Sequence, residues 1–247
     1  MRRFGQPGRS SCVRIERVLI ARFWLHRRPV DEFLYGVQIL VTMLKQQSVG
    51  VGWRETRRLA ARAALVATAW EIVRGDGLDA LSLRELARRA GITTPTVYAY
   101  FESKNAITDA MFGEAAQSFA DSKAEQLDTG DAHQNLVADA RCFVEFCTSD
   151  VTRYQLLFQH SVPGFSPSQE SYAPAVAALQ LLRERLARNG VSDPGHVDIW
   201  TALMTGLVDQ QISNDLGGDR WSRLIDEVVQ MFLAHCSDDG TAHDHHS

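Results

Sequence analysis

The sequence contains few of the residues and motifs on which enzymes and metalloproteins commonly depend. It has only four cysteines among 247 residues, and none of them forms a C-x-x-C pair. A disulfide framework and a zinc ribbon are therefore not indicated. The chain also has no P-loop, no G-x-S-x-G, no H-E-x-x-H and no G-x-G-x-x-G motif. We predict no catalytic residue, no cofactor and no metal ligand, with a cofactor-free helical enzyme as the remote alternative.

Long apolar runs are also absent. The longest candidate, Leu34 to Leu44, has 11 residues and includes Gln38, which is too short to span a bilayer. The run from Val18 to Ala21 is followed by Arg22 and by no small-residue cleavage site, so it does not resemble a signal peptide. We therefore expect a cytoplasmic protein without a membrane partner.

The four cysteines are expected to be free thiols in a reducing compartment. Cys142 and Cys147 are five residues apart, a spacing that suits neither a disulfide on one helix nor zinc. A redox-sensing role for these two thiols is the alternative. The remaining cysteines are Cys12 and Cys236.

Charge is unevenly distributed along the chain, although its formal net value is only −4. Residues 1–52 carry nine Lys/Arg and three Asp/Glu, and residues 53–104 carry nine and six. Residues 105–247 carry eight and 21, so the second half is strongly acidic. A basic N-terminal half on an acidic body is compatible with a protein that binds nucleic acid through one end only.

Two short amphipathic segments joined by a glycine occupy residues 83–104. Ser82 and Glu85 have the spacing of a capping box, which predicts the start of the first helix. Gly91 ends it, because glycine adopts a left-handed C-cap without steric cost. Thr93 is the predicted N-cap of a second, very short helix. This pattern is typical of a helix-turn-helix that reads the major groove of DNA.

The second helix divides its side chains between a core face and an outer face. Val97 and Phe101 are four residues apart and are predicted to face inward together with Leu86, Ala90 and Ile92. Hydroxyl and phenol groups remain on the outside, where they suit phosphate oxygens and base edges. The outward residues are Thr93, Thr94, Thr96, Tyr98 and Tyr100.

The ordered set of motifs from Trp53 to about Gly113 resembles the DNA-binding domain of the TetR family of transcriptional regulators. A long first helix, predicted over Arg54–Arg74, precedes a glycine-containing turn at residues 75–82. The motifs that follow are Glu85-Leu86-Ala87, Ala90-Gly91-Ile92, Thr96-Val97-Tyr98, Tyr100-Phe101 and Ser103-Lys104. The resemblance implies an all-α protein, with a three-helix DNA-binding domain followed by a helical domain for ligand binding and dimerisation.

The resemblance also assigns roles to individual residues. The five outward residues match family positions that contact DNA, and Lys104 matches a lysine at the start of the fourth helix that contacts a phosphate. Pro95 and Ala99 depart from the residues usual in the family. The expected DNA-binding set is Thr93, Thr94, Thr96, Tyr98, Tyr100 and Lys104.

Residues 1–52 lie outside the resemblance, and three interpretations of them remain open. They form a disordered basic arm that adds phosphate contacts, or an amphipathic helix packed on the body. In the third and favoured interpretation the start codon is misassigned, and the working protein begins near residues 43–53. We treat 53–104 as the DNA-binding domain, 105–236 as the body and 237–247 as a disordered tail rich in His and Asp. Weak metal binding by that tail is the alternative.

The body is predicted to be helical throughout. Its helices are expected at Ala106–Leu127, Gln134–Ser149, Thr152–His160, Tyr172–Arg188, Pro194–Asp215 and Arg220–His235. The last two carry apolar stripes that suit a symmetric dimer, the arrangement implied by the resemblance and suited to a near-palindromic operator. The stripe residues are Ile199, Leu203, Leu207, Ile212, Leu224, Val228, Met231 and Phe232.

A ligand pocket is expected among these helices. The segment Arg153–Phe158, with Val162–Phe165, Trp200 and Gly206, is similar to a C-terminal domain common among actinobacterial TetR-like regulators, although Thr205 replaces the histidine often found there. The candidate pocket residues are Phe143, Phe146, Tyr154, Phe158, His160 and Trp200. We therefore expect a homodimeric repressor released from its operator by a small apolar or aromatic molecule. Activation of transcription and a response to metal or redox state are the alternatives.

Overall fold

A computed structural model describes the backbone of residues 51–126 and 128–243, with the side chains of residues 52–126 and 128–237. Within these ranges all regular structure is helical and no strand occurs, which confirms the predicted all-α class. The expectations for residues 1–50 and the final residues 244–247 lie outside the described residues. The α-helices are α1 Val51–Asp76, α2 Leu83–Arg89, α3 Thr94–Tyr98, α4 Lys104–Ala124, α5 Ala132–Ser149, α6 Val151–Phe158, α7 Gln169–Arg188, α8 Pro194–Asn214 and α9 Ile225–His243.

The chain divides into two compact units, Met1–Ala60 and Ala61–Ser247. Of the first unit only the opening turns of α1 are described. There the Thr56 hydroxyl donates to the Gly52 carbonyl at 2.7 Å, and the Arg57 guanidinium lies 5.4 Å from the centre of the Trp53 ring. All that follows concerns the second unit.

The first hydrophobic core of the second unit joins α1 to the short helices α2 and α3 and to the first half of α4. Leu86, Val97 and Phe101 are at most 1% exposed, as their predicted inward positions require. Ala90 and Ile92 pack against the same core from its edge. The packing of these five residues keeps the two short helices in place, because helices of five and seven residues are not stable alone.

The second core lies among α5, α6, α8, α9 and the end of α7. Trp200 and Tyr154 are its largest fully buried side chains. A group of hydrogen bonds also joins α4 to α7. The Asp109 carboxylate accepts from the Ser168 amide and hydroxyl and from the Ser171 hydroxyl, at 2.6, 2.9 and 2.8 Å. Gly113 permits this close crossing, since a Cβ there would lie 3.0 Å from the Ser171 oxygen.

Two predicted features of the last helices are corrected by the structure. Helix α9 runs to His243, so the predicted end at His235 is wrong, and the helix enters the segment expected to be a tail. Leu207 and Phe232 are only 8% and 2% exposed within a single chain, so they belong to the core and not to an outer stripe. Helical spacing showed which residues share a face but not which neighbour covers that face.

No helix within residues 51–126 and 128–243 is long and apolar enough to cross a membrane.

Candidate nucleic-acid interface

Helix α2 begins at a serine cap and ends at a glycine, as the sequence predicts. The Ser82 hydroxyl accepts from the Glu85 amide at 3.1 Å. Gly91 has φ +65°, a conformation that favours glycine, and the Ile92 amide returns to the Ala87 carbonyl at 3.0 Å. The chain therefore turns sharply between α2 and α3 and keeps both helices on the same core.

The Glu85 carboxylate is engaged by arginines instead of reaching back to the cap. Arg88 donates to both of its oxygens at 2.8 and 2.6 Å, and Arg89 donates to one of them at 2.9 Å. These hydrogen bonds, with a smaller coulombic contribution, lower the pKa of Glu85 from its usual 4.5 to about 2. Arg89 also pairs with Asp76 at 2.6 Å. Two of the three arginines on α2 are thus neutralised within the domain.

The third arginine, Arg84, was missed by sequence reasoning as a candidate for DNA contact. It is exposed at the second position of α2, and no ion pair among the described residues engages it. Its charge is therefore available to a phosphate or a base edge near the start of the motif. The sequence signal was an arginine in the first turn of the helix, two residues after the Ser82 cap, but the partners of Arg88 and Arg89 had to be known before Arg84 could be singled out.

Helix α3 is capped by Thr93, whose hydroxyl accepts from the Thr96 amide at 3.4 Å. The two threonine hydroxyls also lie 2.8 Å apart within hydrogen-bond range. Pro95 occupies the first turn, where its missing N–H costs no intrahelical bond. This local bonding orders a helix of five residues and holds its hydroxyl groups in defined positions.

The residues expected to contact DNA differ in exposure. Thr93, Thr96 and Tyr98 are exposed, and the Tyr98 side chain retains 54% of its accessible surface. A tyrosine that is exposed on so short a helix has no packing role there, which favours an interaction outside the domain. Thr94, Tyr100 and Lys104 are half-buried.

Lys104 is the first residue of α4, directly after the Ser103 cap, whose hydroxyl accepts from the Ala106 amide at 3.1 Å. Its ammonium therefore stands at a helix N-terminus, which also favours anions. The structure places this cation after α3 in the chain and keeps it half-exposed, which suits a phosphate contact. Its DNA-contacting role stays a prediction.

The body contains a cluster of four phenylalanines from three helices, of which the sequence predicted three. Phe119 of α4 is the member that sequence reasoning missed, and its ring centre lies 5.9, 5.0 and 5.4 Å from those of Phe143, Phe146 and Phe158. Phe143 and Phe158 are also 5.4 Å apart. We call these four residues the aromatic cluster. Helix α4 therefore links Lys104 at its first turn to the aromatic cluster near its end.

The other candidate pocket residues differ in their surroundings, and the Tyr154 ring lies 5.7 Å from the ring of Phe158 in the aromatic cluster. The Tyr154 hydroxyl donates to Asp209 at 2.7 Å, and burial is the main cause of its raised pKa, so the phenol stays protonated. The Trp200 ring contacts Phe232 at 5.1 Å. His160 is exposed with φ 47° and lies outside the second core.

A buried ionic group adjoins the aromatic cluster. The Lys123 ammonium lies 3.0 Å from an oxygen of the Asp139 side chain and 5.6 and 5.7 Å from the ring centres of Phe119 and Phe143. Arg185 pairs with the other Asp139 oxygen at 3.1 Å. The group contains two cations and one carboxylate, and none of its side chains is more than 14% exposed.

The metal alternative concerns the tail, whose side chains from residue 238 onward lie outside the described residues, whereas the redox alternative concerns cysteines of the body. No group of three or more metal-ligating side chains occurs within the described residues. Cys147 is fully buried, and burial raises the pKa of its thiol, which disfavours the reactive thiolate. The Cys142 thiol lies 3.7 Å from the Ser122 carbonyl, to which it donates.

Comparison with known proteins gives one family match and many similar folds. A model of the family described as "Bacterial regulatory proteins, tetR family" matches residues 65–111. The class C tetracycline repressor protein of Escherichia coli is 38% identical over 50 residues, which are 20% of this chain and 23% of the repressor. The match therefore spans about a quarter of that curated relative.

Two solved structures resemble almost the whole described chain. A tetR-family transcriptional regulator from Streptomyces coelicolor has a TM-score of 0.59 at 21% identity, covering 80% of this chain and 86% of that one. A protein of unknown function from Rhodococcus has a TM-score of 0.61 at 20% identity, covering 70% and 94%. At these identities the likeness shows the fold. The family match, together with the helix-turn-helix geometry, identifies residues 65–111 as a tetR-family DNA-binding domain, which precedes a helical body.

Proposed function

We propose that this protein is a homodimeric repressor that leaves a near-palindromic operator when a small apolar or aromatic molecule binds its body. DNA-binding transcription regulation is the function of the family to which its helix-turn-helix domain belongs. The observation that carries the proposal is the short capped helix α3, which exposes Tyr98 and two threonines beside the ordered start of α4. The domain assignment is 53–104 for reading DNA and 105–236 for the body.

Support for a dimer comes from exposed aliphatic side chains on the last two helices. Ile199 and Leu203 are 39% and 36% exposed and lie four residues apart on one face of α8, and Met231 on α9 is 64% exposed. A two-fold dimer would bury such residues and place two copies of α3 on successive turns of DNA. Light scattering on the full chain should give twice the chain mass, and Leu203→Glu should shift it towards the monomer.

Support for an effector site comes from the aromatic cluster and the adjoining Lys123. Aromatic walls with one or two polar groups are typical of small-molecule sites in helical proteins. Phe119 belongs to α4, the helix that begins at Lys104. A molecule inserted into the aromatic cluster would therefore displace α4 and change the separation of the two DNA-binding domains in the dimer. A panel of aromatic compounds tested for release of fluorescent operator DNA examines this proposal. Phe143→Ala should abolish any such release while leaving DNA binding intact.

The DNA contacts are tested with an operator selected by the protein from a random duplex library. Tyr98→Ala with Lys104→Ala should abolish salt-sensitive binding of that operator, because the pair removes one aromatic contact and one phosphate contact. Tyr172→Ala with Arg183→Ala is the matched control, since these exposed residues lie on α7. Equal binding by both double variants would refute the assigned contacts. Expression of target genes in a deletion strain distinguishes repression from activation.

A further inference from the structure

One side chain of α1, Arg62, makes two contacts with the residues that follow α3. The Arg62 guanidinium donates from Nη1 to the Tyr100 carbonyl at 3.1 Å. The same group lies over the Phe101 ring, with its central carbon 4.3 Å from the ring centre. Arg62 is half-buried and Phe101 is 1% exposed, so the contact belongs to the packed interior of the domain.

The carbonyl that Arg62 engages lies in the turn between α3 and α4, two residues beyond the last residue of α3. This turn continues the hydrogen bonding of the helix. Helix α3 ends at Tyr98, and the Tyr100 and Phe101 amides still bond to the Val97 carbonyl at 2.9 Å. Arg62 therefore binds a turn that is itself hydrogen-bonded to the end of α3.

The contact with the Phe101 ring gives the Arg62 guanidinium a second point of attachment besides the hydrogen bond. A guanidinium can donate in its plane and stack through its face, whereas an ammonium is a compact point charge. The carbonyl fixes how far the end of α3 lies from α1, and the ring fixes its tilt. Thr96 and Tyr98, which precede Tyr100 by four and two residues, keep the direction that the two contacts impose.

We propose that Arg62 is a positioning residue for DNA recognition, which sets the orientation of α3 without touching DNA itself. This inference rests on the proposed DNA-binding function and adds a residue outside the helix-turn-helix. Loss of a positioning residue should weaken mainly those contacts of α3 that depend on the base sequence. A direct phosphate contact would instead affect all duplexes equally and reduce the dependence of binding on salt.

The test measures binding of the full-length protein to two fluorescent duplexes by anisotropy across a range of salt concentrations. One duplex is the operator selected by the wild-type protein, and the other has the same composition in scrambled order. Arg62→Met keeps an unbranched chain but removes the donors and the charge. We expect a loss of operator affinity of roughly tenfold, with about a hundredfold as the upper limit, because a hydrogen bond within the protein can contribute to DNA binding no more than its own free energy. Affinity for the scrambled duplex and the salt slope should stay unchanged.

Lys104→Met is the matched control, because it also removes one cation from the same domain. It should weaken binding to both duplexes and reduce the salt slope by about one. If Arg62→Met behaves in this way, Arg62 is a phosphate contact and the proposal is wrong. Unchanged affinity of Arg62→Met for the operator would also overturn it.

A second variant serves if circular dichroism shows that Arg62→Met does not fold. Lysine at this position retains a cation but lacks the planar guanidinium that can donate to the Tyr100 carbonyl and contact the Phe101 ring at the same time. Arg62→Lys should lose at least threefold in operator affinity alone, and affinity equal to wild type would overturn the proposal. If the wild-type protein selects no sequence from the library, the proposed DNA-binding function is wrong. This outcome differs from failure of the Arg62 proposal, in which the wild type selects an operator and the Arg62 variants bind it as tightly.

Discussion

Removal of the Asp139 carboxylate should strongly destabilise the body. Its two oxygens face Lys123 at 3.0 Å and Arg185 at 3.1 Å, and the Asp139 side chain is only 4% exposed. Asp139→Asn preserves the shape but leaves two cations without a counter-charge. Removing one partner of a buried ion pair typically costs about 3–5 kcal/mol, because the remaining charge is buried without compensation.

The expected cost lies near the lower limit of that range, because both cations keep other partners. Lys123 still donates to the Asp139 backbone carbonyl at 2.8 Å, and Arg185 still donates to Gln126 at 2.7 Å and to the Lys123 carbonyl at 2.5 Å. The asparagine oxygen can also accept from one cation. We therefore expect the free energy of unfolding to fall by about 3 kcal/mol.

Urea denaturation followed by circular dichroism measures this change, at one fixed protein concentration because the proposed dimer would be stabilised by association. Asp226→Asn is the matched control, since Asp226 pairs with Arg141 at 2.7 Å on the surface, where both side chains are more than half exposed. It should change the free energy of unfolding by less than about 1 kcal/mol.

A second substitution tests the cause of the effect. Lys123→Met replaces the ammonium by an apolar group of similar length next to Phe119 and Phe143. In the Asp139→Asn background it should restore part of the lost stability, because one uncompensated charge is removed. A loss below 1 kcal/mol for Asp139→Asn, or a further loss on adding Lys123→Met, would refute the assignment of a charge-compensating role to Asp139.

Three further changes have defined outcomes. In the wild type, the lowered pKa of the Glu85 carboxyl contributes stability that is lost on protonation as pH falls from 4.5 to about 2. Glu85→Gln lacks this contribution and should lose less stability over the same pH range, as acid titration followed by circular dichroism would show. Tyr154→Phe should reduce the free energy of unfolding by about 1–2 kcal/mol through loss of the hydrogen bond to Asp209, as urea denaturation would show. Gly113→Ala should lower the melting temperature, since its Cβ would lie 3.0 Å from the Ser171 oxygen, and a raised melting temperature would contradict that packing.

The helix-turn-helix was predicted well because the residues that begin and end its helices act over short distances along the chain. Ser82, Gly91 and Thr93 act on amides or dihedral angles within a few residues, and the structure places each where its spacing predicts. The exception is Glu85, whose predicted return to the cap is replaced by bonds to Arg88 and Arg89. Both interactions fit the sequence spacing, and the charged donors form the stronger hydrogen bonds.

Contacts between distant segments were predicted less well. Phe119 was overlooked in the aromatic cluster because helical spacing places it on α4 but does not reveal that α5 and α6 present rings to it. Leu207 was assigned to a dimer stripe for the same reason, although its own chain covers it. Both cases concern which surface covers a residue, and this depends on how the helices cross.

The sequence alone therefore determined the helices, their caps and the division of α3 into a core face and an outer face, because these follow from spacing and short-range hydrogen bonds. Only the tertiary structure decided which charges compensate one another and which rings meet. Asp139 meets Lys123 and Arg185 across 16 and 46 positions of the chain, and Arg62 meets Tyr100 across 38. Such partners are chosen by helix packing, which local sequence does not encode.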